Sequence, residues 1–211
     1  MFTKEQDPSK TEPSVSITLN KAGAYEVGTT VENITCNVSF SDGSYSYGPE
    51  PTGARVSNWE IKDTKNKTYA YSTSSIAIDD VLITDNINYT ITAKATHSAG
   101  ETPKTNKGND CIDANKKIAA GTKSQTSSAI TGYRKAFAGG TASTTVDSNV
   151  VRSMTATKNS ANEMNSFDNA LNFSASKGAM RVFFAYPATW TGTPYVEMFS
   201  TAWLENVNFI Q

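Results

Sequence analysis

DNINYTITAKATHS, residues 85–98, decides how this chain is read. From Tyr89 onward the residues alternate, with Tyr89, Ile91, Ala93 and Ala95 on one parity and Thr90, Thr92, Lys94 and Thr96 on the other. That is the period of a strand with one face on a core and one in water. His97 follows where the strand runs into a loop and reads as an exposed polar residue.

Working outward, VSITLN (15–20) and ITCNVSF (34–40) alternate in the same way, and VSNWEIKD (56–63) is a further strand closed by a turn at KNKT. AYEVGTT reads as an edge strand and turn, and SDGSYSYGPEPTG (41–53) as a loop with a concentration of glycine and proline. Short strands at regular spacing with turn signals between them predict a β-sandwich. Asp85 stands four residues before Tyr89. This matches the corner of an immunoglobulin-like strand F, where a tyrosine hydroxyl bonds back to the preceding turn. Cys36 then falls in strand B and Trp59 in strand C, and Ile91 takes the place of the second bridging cysteine. The expected core is Cys36, Trp59 and Ile91 packed together without a disulfide. Cys36 and Cys111 belong to no metal-binding pattern, and both are expected as free thiols.

Composition agrees with an all-β chain. Ser and Thr make up about a quarter of the 211 residues, and their hydroxyls compete with the backbone inside helices. The net charge of −1 offers no basic excess for phosphates, so nucleic acid is not an expected partner. No apolar run is long enough for a helical membrane span. The start, MFTKEQDPSKTEPS, is polar, so residues 1–13 read as a linker or the end of an upstream segment.

The expected architecture is therefore an immunoglobulin-like β-sandwich over 14–131, followed by a second, smaller β-rich module over 132–211 with one short helix. Residues 99–117 form a long polar loop. IAAGTKSQTS carries a strand, and GYRKAF another. In 145–159, Val146, Val150, Val151 and Met154 fit one helical face, with Asp147 or Ser148 as N-cap. ALNFSAS (170–176) and MRVFFAYP read as a hairpin, followed by YVEMFSTAW and LENVNFI. MRVFFAYP is apolar on both faces and is expected to be central in a covered sheet.

Chemistry is sparse. No phosphate-binding glycine loop, nucleophile elbow or zinc-protease motif occurs, so no catalytic residue, cofactor or metal is assigned. Asp79 and Asp80 are adjacent, so in a strand they would point to opposite faces. They are expected in a turn. The sequons at Asn33, Asn37, Asn66, Asn88 and Asn172 are read as chance in a chain this rich in Asn, Ser and Thr. The candidate contact surface consists of Tyr45 and Tyr47 in the first long loop and Phe184, Tyr186 and Trp190 around the aromatic strand.

AYEVGTT, YGP, YTITAKATHSAG, KIAAGTKSQTS leading to ITGYRKAF, and KGAMRVFFAYPATW occur in that order. In order and spacing the chain resembles immunoglobulin-like structural proteins of tailed bacteriophages, of gut-phage and prophage type, over roughly residues 15–195. The resemblance implies a non-enzymatic virion component of a head fibre, tail or baseplate appendage. Its partners would be copies of itself, a trimer by fibre geometry, together with other virion proteins and the bacterial surface. The family continues past the aromatic strand, so 211 residues are expected to be less than the whole gene product. The alternative is a cell-surface adhesin module that binds glycan or protein through loops 41–53 and 99–117. A polysaccharide-degrading appendage enzyme is a third reading, for which Asp79 and Asp80 would have to share a groove.

Overall fold

A computed structural model describes residues 4–141, 145, 147–153, 155–158, 181–185 and 208–210. In chain order the strands are β1 (Lys10–Thr11), β2 (Ser14–Leu19), β3 (Gly23–Glu26), β4 (Thr30–Val31), β5 (Ile34–Ser41), β6 (Ser44–Tyr45), β7 (Val56–Asp63), β8 (Thr68–Tyr69) and β9 (Ile76–Ile78). They continue as β10 (Val81–Leu82), β11 (Asn88–Tyr89), β12 (Ile91–His97), β13 (Gly121–Thr126), β14 (Ile130–Tyr133), β15 (Lys135–Thr141), β16 (Thr155–Lys158), β17 (Arg181–Ala185) and β18 (Asn208–Ile210). The one α-helix among the described residues is α1 (Ser148–Arg152). The protein is all-β. It divides into one unit of Met1–Gly23, Val31–Val81 and Asn88–Ile130, and a second of Ala24–Thr30, Leu82–Ile87 and Thr131–Gln211.

The first unit is a sandwich of antiparallel sheets, one of order β2-β5-β9 and one of order β13-β12-β7-β8. Alternation builds its core. Ile34, Cys36 and Val38 of β5 face inward, as do Ile91, Ala93 and Ala95 of β12. On β7 the fully buried residue is Ile61, paired with Ala93. Trp59 sits two residues earlier, is half-buried, and stacks on Tyr71 with ring centroids 4.7 Å apart. The aliphatic side chain, rather than the indole, thus fills the centre of this strand's inner face. Cys36 and Cys111 are free and buried. Burial pushes the Cys36 thiol up to about 11.

His97 is a correction to the sequence reading. It continues the inward parity of β12 and is 3% exposed. Its Nδ1 lies 2.9 Å from Ser98 O and its ring centroid 5.5 Å from that of Phe40. A carbonyl only accepts, so Nδ1 donates, and Nε2 is buried with no hydrogen-bond partner among the described residues. The ladder between β12 and β7 shifts by a residue between Thr96 and His97.

Residues 4–13 pack against the first unit. Pro8 is fully buried, and Lys10–Thr11 pairs with Ser44–Tyr45 as a two-stranded ribbon. Glu5 accepts from Thr105 Oγ1 at 2.7 Å and from Asn109 Nδ2 at 2.8 Å. Asn106 N donates to Gln6 O, and Gln6 N to Asn106 Oδ1. The segment is a strap over the 99–117 loop.

In the second unit the sheet order is β16-β15-β17-β18, with β17 and β18 parallel. β17 is an internal strand, with Phe184 opposite Ala138 on one side and Phe209 on the other. Asp147 caps α1, accepting from Asn149 N at 2.9 Å and Val150 N at 3.0 Å. The expected strands at 170–176 and at YVEMFSTAW, with Val146 and Met154 of the expected helical face, lie outside the described residues.

Candidate functional site

The two long loops of the first unit meet along a wide-mouthed groove of about 690 Å³. Tyr47, Gly48 and Pro49 form one wall, and Glu101, Lys104, Thr105 and Asp110 contribute to the other. Tyr45 holds the walls in place. It is 5% exposed, and its hydroxyl donates to Glu101 O at 3.1 Å and accepts from Ile118 N at 2.9 Å. Gly100 is required beside it, because a Cβ there would lie 2.6 Å from Tyr45 Oη.

Further bonds tie loop to loop. Asp42 accepts from Thr52 N at 2.8 Å, and Thr52 O accepts from Glu101 N at 2.6 Å. Tyr47 O accepts from Lys104 N at 3.2 Å. Gly48 adopts φ +139 with its Cα hydrogens against Pro103, a close approach that favours glycine. Behind the wall, Cys111 Sγ donates to Asp7 Oδ1 of the strap at 3.4 Å. Loss of surrounding water raises its thiol pKa. Bonds from Thr105 and Asn109 hold Glu5 below the usual carboxylate range.

The groove presents one exposed aromatic ring, Tyr47, beside hydroxyl, carboxylate and ammonium groups. Lys104 and Asp110 are paired across 2.5 Å. These groups can donate and accept hydrogen bonds, and the ring offers a face for stacking. Among the described residues no cluster of His, Cys, Asp or Glu is arranged to hold a metal ion. Asp79 is ion-paired with Lys67 in the segment between β9 and β10.

Of the aromatic residues singled out in the sequence, Tyr47 lines the groove, whereas Tyr45 lies beneath it as a strut. Phe184 lies in β17 of the second unit, and Tyr186 and Trp190 are outside the described residues. Sequence reasoning missed Glu101, Lys104, Thr105 and Asp110 individually, although it marked both loops. The 99–117 loop carried no periodicity to tell rim from floor. It also missed Ile112, a 98% exposed isoleucine two residues beyond the groove's Asp110.

The expected tyrosine corner is a further correction, because the Tyr89 hydroxyl bonds across to the end of β7 and not back to the turn at Asp85. Tyr89 Oη donates to Asp63 Oδ2 at 3.1 Å, and Tyr69 Oη approaches the same oxygen at 3.3 Å. Asp63 Oδ1 accepts from Lys65 N and Lys67 N, closing the β7–β8 turn. Asp85 is engaged elsewhere, in a two-point pair with Arg134 of 2.7 Å at each contact. Burial raises the pKa of Tyr89 well above the ordinary phenol range and that of Tyr69 in the same direction. No family model, curated protein or solved structure matches the chain.

Proposed function

We propose that this chain is a non-enzymatic structural protein of a tailed-bacteriophage virion. It assembles with copies of itself and with other virion proteins in a head fibre, tail or baseplate appendage. The observation that carries the reading is the strand order. β2-β5-β9 against β13-β12-β7-β8 is the order that strands A-B-E against G-F-C would take in an immunoglobulin-like sandwich, and Tyr89 lies in β11, just before β12. The motif order quoted above adds the phage assignment to that fold. Assembly would proceed by burying strand surface between subunits, with the sandwich end that carries the groove presented outward. Mass spectrometry of gradient-purified particles tests this. The reading expects the chain at a stoichiometry comparable to other structural proteins, and its absence from particles contradicts it.

The second reading is a cell-surface adhesin module that contacts glycan or protein through the groove. Its support is the convergence of loops 41–53 and 99–117 beside Tyr47. Binding to bacterial surfaces that Tyr47→Ala abolishes, without any presence in particles, would favour it.

A further inference from the structure

β13 is the outermost strand of its sheet and, among the described residues, pairs only with β12. Its residues are exposed apart from the half-buried Lys123, which reaches Glu12 at 3.6 Å. Its ladder to β12 runs from Thr92↔Thr126 to His97↔Gly121 without a bulge. Natural edge strands are blunted by shortness, proline, bulges or clustered charge. Elsewhere in this sandwich β8 has 2 residues, β9 has 3, and β2 is entered through Pro13. β13 carries a single charge and none of the other devices.

The register fixes where its peptide groups point. Ser127 N donates to Ile91 O at 2.9 Å, and across β12 Thr64 N donates to Thr90 O at 3.1 Å. Peptide groups alternate from side to side along a strand. Odd-numbered residues of β12 therefore face β13, and Gly121, Lys123 and Gln125 face back. Thr92 and Thr126 form a non-hydrogen-bonded pair, the closer kind, in keeping with 2.9 Å between their hydroxyls. The peptide groups of Thr122, Ser124 and Thr126 point away from the sheet. Among the described residues their one hydrogen-bond contact is Gln125 Nε2, 3.4 Å from Thr126 O.

We infer that this edge pairs with the same edge of a second copy, antiparallel about a two-fold axis through Ser124. Thr122 then faces Thr126 of the partner subunit, and Lys123 faces Gln125 of the partner subunit. All three outward-facing residues enter hydrogen-bonded pairs, giving about six main-chain bonds. Sliding by two residues sets either Lys123 or Gln125 against its own copy and leaves about four such bonds. Sliding by one residue exchanges the faces. The register through Ser124 thus makes the most main-chain bonds and sets Lys123 against Gln125 instead of against itself, which is what selects a second copy as its occupant. The inference rests on the assembling function proposed above and names one surface that serves it.

Sedimentation equilibrium of the full chain tests it. Ser124→Pro removes only an outward-facing N–H, so the ladder to β12 is retained. It is expected to abolish the two-fold contact. Gln125→Lys sets lysines opposite Lys123 twice and is expected to weaken association roughly three- to tenfold, while Gln125→Glu tightens it by a similar factor. Should Ser124→Pro unfold, this charge pair decides. On oxidation Ser124→Cys is expected to cross-link, because opposed hydrogen-bonded residues lie about 5.5 Å apart, within disulfide reach. Thr122→Cys is expected not to. An oligomer insensitive to all these changes, or cross-linked through residue 122 instead, overturns the edge pairing and leaves assembly standing. A monomer at every concentration overturns both.

Discussion

At the residue scale, Asp63 and Tyr45 do the most to hold the sandwich and its loops. Asp63 is 8% exposed and accepts two tyrosine hydroxyls and two backbone N–H groups. Asp63→Ala leaves these donors unpaired and is expected to cost about 2–4 kcal/mol in urea unfolding, with Asp63→Asn costing less because one oxygen remains. Tyr45→Phe removes a hydroxyl shared by Glu101 O and Ile118 N, and a loss of about 1–2 kcal/mol is expected, with faster hydrogen exchange confined to the two groove loops. Asp85 gives a pH signature. The Arg134 guanidinium holds its carboxyl below the usual range. A lowered folded-state pKa means that the pair's contribution is complete above the unfolded value, about 3.9, and is lost as pH falls through the folded one. Asp85→Asn should remove that part of the acid slope below about pH 4 and leave the slope at neutral pH unchanged. Asp63 could not be read as the partner of Tyr89. A carboxylate at a strand end looks like a turn residue, and its tyrosines come from other strands.

At the element scale, β12 was legible because one face is uniformly apolar: Ile91, Ala93 and Ala95 are all buried, as is Tyr89 of β11 just before it. The same parity extends to His97, so the period pointed inward where the residue type pointed outward. The helix α1 was legible in its cap, since an aspartate at the start satisfies the first free N–H groups. The strap at residues 4–13 was not. It has no periodicity, and it is held by bonds to a loop about a hundred residues away in sequence. Removing residues 1–9 is expected to raise the reaction rate of the Cys111 thiol several-fold in thiol titration, while Cys36, at the centre of β5, stays protected. Equal protection of both thiols after truncation would contradict the strap's role.

At the scale of the whole molecule, the sequence pattern predicted an all-β chain with free cysteines, and the protein is all-β with both cysteines free. Alternation reports burial strand by strand, which is why the sandwich could be read. It carries no information on which loops converge, so the groove between 47–49 and 101–110 emerged only in three dimensions. Nor does it say which edge of a sheet is left unpaired, because that depends on strand order rather than on any one strand's residues. The central claim is assembly, and the native mass of the protein purified from its natural source, set against its denatured mass, tests it most directly. A native mass at a small multiple of the chain mass is expected. Equal native and denatured masses at every concentration would contradict it.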